Sequence, residues 1–138
     1  MADMAAADLV GVWELSACYE RDEHGGMLEG PLGPNPKGRL MYTADGHVAV
    51  TMMRTSGTAS SSVPMDAVGY AGTWRLAGRQ VVHTIEVTSP VSGWAGSDQV
   101  RDVEELKPGS LTLAGTDVID GKRRTAVLEW SRTPPQDH

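Results

Sequence analysis

Turn-forming clusters recur along this chain at intervals too short for helices. "DEHGG", "GPLGPNPKG", "ADG", "AGR", "SPVSG", "KPG" and "DGK" separate runs rich in Val, Thr, Trp and Leu. Short runs of that composition between regular turn signals read as strands of a sandwich or barrel. The spacing places eight strands near residues 9–21, 38–44, 47–54, 70–77, 80–88, 99–107, 110–115 and 124–132. Asp45-Gly46 in "TADGHV" and Gly78 in "LAGRQV" supply the positive φ that tight hairpins require, so strands adjacent in sequence are expected to pair. An open, twisted meander of this size would leave two unpaired edges, and closure removes both. The expected fold is therefore all-β: an eight-stranded antiparallel up-and-down barrel, with at most a short helical turn near 64–69, where Pro64 opens "PMDAVG".

Two stretches interrupt the meander. Residues 25–38, "GGMLEGPLGPNPKG", carry too much Gly and Pro for regular structure and are expected to cross one end of the barrel. The Ser/Thr-rich segment at 55–69 is long for a compact domain, and both stretches are candidate lids.

The 138 residues, 40% hydrophobic and 22% charged, suit one globular domain over 1–138 with an ordered core of about 8–132. A net charge of −6 argues against nucleic acid as a partner, because phosphate backbones are bound by clustered Lys and Arg. No apolar run is long enough to span a membrane, and "MADMAAADLV" has no basic segment ahead of an apolar one. Together with a single cysteine, Cys18, this leads to the expectation of a cytoplasmic protein without disulfides. The histidines, His24, His47, His83 and His138, show no metal-ligand spacing, and neither a nucleotide loop nor a nucleophile elbow is present. No metal or cofactor is expected.

Neighbouring strand residues point to opposite faces, so alternation sorts the side chains. Tyr70, Gly72, Trp74 and Leu76 share one face, and Val81, His83, Ile85 and Val87 share another, which makes His83 an interior residue. In the first strand Leu9, Gly11, Trp13, Leu15, Ala17 and Tyr19 are expected inside, with Glu14, Ser16 and Glu20 outside. Gly-x-Trp thus occurs twice, at 11–13 and 72–74, each time placing an indole inward. In "SDQVRDVEEL" a bulge before Leu106 would reconcile Val103 and Leu106 as both inward, and would bring Gln99 and Arg101 to the interior beside His83.

"LVGVWEL", "PLGPNPKGRLMYTADGHVAVTMMR", "YAGTWRL", "VVHTIEV", "GWAGSDQVR", "LTL" and "LEW", in this order, resemble the bacterial and fungal lipocalin-like domain family, from about Leu9 to Arg132. "PLGPNPKGRLMYTADG" is the most specific piece. The resemblance implies a calycin-type eight-stranded cup for a lipophilic small molecule, with Trp13 at its base covered by Arg132. It does not imply one reaction, since lipocalin-like proteins include carriers and cofactor-free cyclases or isomerases.

The residues themselves suggest an apolar cup with a few convergent polar groups. Leu15, Ala17, Leu40, Val48, Val50, Met52, Ile85, Leu113 and Leu128 would form its walls, and Tyr19, Tyr42, Tyr70, His83, Gln99 and Arg101 its polar anchors, with Trp74 near one end and Trp94 in the loop above. His83 as acid or base, with Arg101 and Tyr70 stabilising an oxyanion, makes a coherent catalytic set for enolisation, cyclisation or water addition. Tyr19, Tyr42, Met52, Trp74, Ile85, Trp94 and Gln99 would contact the ligand. The first functional reading is a cofactor-independent cyclase or isomerase of secondary, polyketide-like metabolism. The alternative is a non-catalytic binding or carrier protein using the same cavity. Either would work as a monomer or a homodimer.

Overall fold

In the computed structural model, the structure describes residues 4–55, 67–89, 96–119 and 121–135. Among them, nine strands run in sequence order: β1 Gly11–Arg21, β2 Met27–Glu29, β3 Lys37–Tyr42, β4 His47–Met53, β5 Ala67–Ala77, β6 Gln80–Thr88, β7 Asp98–Lys107, β8 Ser110–Ile119 and β9 Lys122–Arg132. All pairings are antiparallel, and β1 pairs with both β3 and β9, so eight strands close into a barrel. Closure gives the backbone groups of both outermost strands a partner, as expected for a meander that must hide its edges.

The ninth strand corrects the sequence reading. Met27, Leu28 and Glu29 lie within the Gly/Pro-rich stretch and pair with Arg21, Glu20 and Tyr19 of β1. Only after Glu29 does the chain cross towards β3, with Leu32 buried. This crossing is tied to the end of β4, where Arg54 Nη2 donates to the Pro31 carbonyl at 2.8 Å and Thr55 Oγ1 to the Asn35 carbonyl at 2.7 Å. The expected helical turn near 64–69 is strand from Ala67 onward, and residues 64–66 lie outside the described residues. The helical content found is a single 3-10 turn, Ala6–Asp8.

Three bulges decide which side chains enter the barrel. Across β1 and β9, Leu15 faces Trp130 while Ala17 faces Glu129, so Ser16 is the extra residue and the alternation flips beyond it. Ala17 and Tyr19 therefore turn outward, and Cys18 and Glu20 turn inward, the reverse of the sequence expectation. Tyr19 donates its hydroxyl to Glu129 Oε2 at 3.1 Å on the outer wall and is not a cavity residue. Across β5 and β6 the extra residue is Glu86, because Ala71 pairs with Val87 and Gly72 with Ile85. Val87 consequently faces solvent, 68% exposed, where alternation had placed it inside. Across β7 and β8 the extra residue is Glu104, which sends both Val103 and Leu106 inward opposite Leu113 and Leu111, as the sequence had suggested.

The two copies of Gly-x-Trp need glycine for different reasons. A Cβ on Gly72 would run into the Thr84 carbonyl where β6 bends, so the bulge requires glycine. Gly11 has a different task. Its φ is +139°, and a Cβ there would stand 2.5 Å from Arg132 Nη1. The absent side chain leaves room for that guanidinium, whose Cζ lies 4.1 Å from the Trp13 ring centroid. Arg132 also donates to the carbonyls of Pro108, Val10 and Asp8. Trp13 is fully buried, and its Nε1 donates to the Leu9 carbonyl at 3.0 Å, so the base of the barrel is closed as the resemblance implied. Trp74, half-buried, sits at the same end, donating its Nε1–H to the Thr43 carbonyl at 3.0 Å.

Candidate functional site

Midway up the barrel, His83 comes inward from β6 opposite Trp74 of β5 and Gln99 of β7. It is 2% exposed, and both ring nitrogens are engaged: Tyr42 Oη lies 2.6 Å from Nε2, and Tyr70 Oη 2.6 Å from Nδ1. Burial pushes the imidazole pKa down to about 3, with the positive charge of Arg101 adding to the effect. The ring is therefore neutral at physiological pH and carries one N–H. One tyrosine must then donate to it while the other accepts from it. Burial also pushes Tyr70 up to about 12 and holds Tyr42 well above the usual phenol range. All three groups stay uncharged, and both ring nitrogens are satisfied within the phenol–imidazole–phenol chain.

Arg101 enters from β7 opposite Val81. It lies along the wall because Gly115 on β8 has no side chain: a Cβ there would stand 2.9 Å from Nη1 and 3.0 Å from Cδ of Arg101. Its Nη1 donates to the Val100 carbonyl at 3.1 Å and its Nη2 to Gln99 Oε1 at 3.3 Å. Among the described residues no carboxylate pairs with it.

These side chains border an interior cavity of about 50 Å³. Its apolar wall is Leu40, Val50, Met52, Leu113 and Leu128, and its polar wall is Tyr70, His83, Arg101 and Trp130. A water occupies about 30 Å³ of the liquid, so this space holds a head group, whereas pockets for whole drug-sized ligands run to about 300–1,000 Å³. A larger guest must displace adaptable side chains. Met52, an unbranched thioether, and Arg101, long and held to the wall by two bonds of 3.1 and 3.3 Å, are placed to move.

Of the residues singled out from sequence, Met52, Tyr70, His83 and Arg101 meet at the cavity. Tyr42 stands behind His83, its ring centroid 4.7 Å from that of Trp74 at a tilt of 50°, and Gln99 stands behind Arg101. Ile85 is buried in the core, Tyr19 is outside the barrel, and Trp94 lies outside the described residues. Sequence reasoning passed over Trp130, although alternation with Leu128 in "LEW" puts it inside. Its indole is 2% exposed, and its buried Nε1–H has no hydrogen-bond partner among the described residues. Sequence reasoning placed Glu20 outside, whereas the bulge at Ser16 buries it on the inner face with Arg124 Nη1 3.8 Å from its Oε1. Burial raises the Glu20 pKa, and the Arg124 charge opposes that rise. Cys18 beside it packs against the core, its thiol pushed up to about 11 by burial and then by Glu20, far from a reactive thiolate.

Among the described residues, no cluster of His, Cys, Asp and Glu could hold a metal ion, and no helix is long and apolar enough to cross a membrane. No curated protein matches the chain. Solved structures do. Bovine odorant binding protein in complex with undecanal superposes with a TM-score of 0.51 at 14% identity, over 99% of this chain and 79% of that one. The same bovine protein with a selenium-containing odorant gives 0.50 at 14% identity, over 99% and 77%. At that identity the likeness establishes a shared barrel fold. The sequence itself matches the model of the lipocalin-like domain over residues 10–133, nearly the whole barrel, and the chain belongs to that family.

Proposed function

We propose that the chain binds a lipophilic small molecule inside the barrel, with an oxygen of that molecule set against Arg101. One observation carries the reading: a half-buried guanidinium on the inner wall of a largely apolar cavity, without a carboxylate partner among the described residues. A charge held there is costly unless it is paired, and an acidic or strongly polar guest supplies the partner. Undecanal, found with the bovine protein of the same fold, is a greasy chain with one polar end. A cytoplasmic setting and a monomer or homodimer remain the expectations that accompany this reading.

The test is displacement of an apolar fluorescent reporter, N-phenyl-1-naphthylamine, followed in the native chain and in Leu128→Trp, which fills the cavity. The native protein should bind one reporter per chain, and Leu128→Trp should weaken binding at least tenfold while keeping its β-sheet circular dichroism. Equal binding by a folded Leu128→Trp would place the guest elsewhere. The outer groove beside Met41, Ala71 and Val87 is where it would then be sought.

A second reading, cofactor-independent isomerase or cyclase chemistry, is favoured by the Tyr42–His83–Tyr70 chain at the cavity wall. A neutral imidazole with a pKa near 3 is a weak general base. The role that fits it is to polarise Tyr70 towards a carbonyl oxygen while Arg101 stabilises the negative charge that develops there. For a guest that turns over, His83→Gln should retain affinity and lose rate. An unchanged rate would leave carriage alone.

A further inference from the structure

Trp130 extends the proposed binding reading from a polar guest to a particular kind of head group. Two residues from Arg132, which closes the base, Trp130 pairs with Leu15 of β1 and Leu111 of β8 and forms part of the cavity wall. Its side chain is 2% exposed, yet its Nε1–H meets no acceptor among the described residues. A buried N–H without a partner costs about 1–3 kcal/mol, so an indole normally occupies an interior position only where its donor is used. The wall of the same cavity contains the Arg101 guanidinium, whose donors reach, among the described residues, a neighbouring carbonyl and Gln99. The rest of the polar wall, His83 and Tyr70, is engaged in its own chain. Arg101 and Trp130 therefore line one space of about 50 Å³, beside the apolar side chains of Met52 and Leu128.

We infer that the guest is a lipophilic acid whose planar, two-oxygen anionic head, a carboxylate or the enolate of a 1,3-dicarbonyl, enters first. One oxygen accepts from Arg101 and the other from Trp130 Nε1–H. The volume suits such a head and excludes the tail, which runs along Met52 and Leu128 towards the far end of β4. A single-oxygen head would leave one of the two donors unmet, whereas a two-oxygen anion satisfies both and neutralises the guanidinium. The inference rests on the interior-binding reading above and narrows it.

The experiment follows the indole N–H resonances of the ¹⁵N-labelled full chain by NMR, assigned through the backbone, during titration with nonanoate, 2,4-undecanedione and 1-nonanol. Nonanoate or the dione should bind at least tenfold more tightly than nonanol and shift the Trp130 indole resonance downfield, and whichever of the two binds more tightly identifies the anion. Trp130→Phe should reduce that preference to below threefold while still binding nonanol. Equal affinity for nonanol and both two-oxygen probes, or a Trp130 resonance that stays still as an acid binds, would overturn the acidic head and leave the lipophilic-guest reading standing. No binding by any probe would overturn both.

Discussion

Replacing Trp13 with alanine should lower the stability of the barrel by about 4 kcal/mol, the middle of the usual range for deleting a buried aromatic side chain. Three losses add up at this position. The ring is fully buried at the base, so its removal opens a void under Leu9, Leu15 and Leu40, which belong to the same core. Its Nε1–H no longer satisfies the Leu9 carbonyl. The Arg132 guanidinium loses the ring face at 4.1 Å, an interaction of about 0.5–2 kcal/mol. Small domains have about 5–15 kcal/mol in total, so one substitution removes a large share of it. Thermal and urea denaturation followed by circular dichroism should show a midpoint lowered by about 10–15 °C. Trp13→Phe keeps a ring beneath Arg132 and should cost less than half as much. A loss below about 1 kcal/mol for alanine would mean that Trp13 is not the plug of the base.

The same residues show what alternation can and cannot reveal. The closed meander, the glycine hairpins and the interior position of His83 follow from period-two patterning and turn chemistry, because a buried face constrains every second residue, whereas the Trp13–Arg132 base came from the family resemblance. A bulge breaks that logic without leaving a residue type of its own. The one at Glu104 was legible because Val103 and Leu106 are both apolar at a spacing that no regular strand can bury on one face. The one at Ser16 was hidden because both candidate faces beyond it mix polar and apolar residues, Ala17 and Tyr19 against Cys18 and Glu20. The one at Glu86 falls at the end of its apolar run, where only Val87 registers the flip. Trp130 was hidden differently: its place inside followed from alternation, but whether its N–H finds an acceptor depends on what all the other strands bring to the same space.

Lowering the pH from 6.5 to 5 should cost the folded chain about 2 kcal/mol through His83 alone, at about 1.4 kcal/mol per pH unit. The direction follows from where the proton goes. In the unfolded chain the imidazole titrates near its ordinary value of about 6.5. In the barrel, burial and the Arg101 charge push it down to about 3. Between those values the unfolded state holds one more proton than the folded one, so acid favours unfolding, and the contribution is fully present only above the unfolded value. Tyr42 and Tyr70 occupy both ring nitrogens at 2.6 Å, and a neutral ring donates to one and accepts from the other. An imidazolium has two donors and no acceptor, so the tyrosine that donates to the neutral ring would have to turn its hydroxyl proton away and accept instead, inside the core. Urea unfolding at pH 7.5, 6.5, 5.5 and 5.0 should therefore show native stability falling across the lower three values. His83→Gln, weaker at pH 7.5, should lose less over that interval, so that the two stability curves converge. Parallel curves, or a His83 ring resonance that titrates near pH 6, would mean that the imidazole is not held neutral between its two tyrosines, and the polarised Tyr70 of the catalytic reading would fall with it.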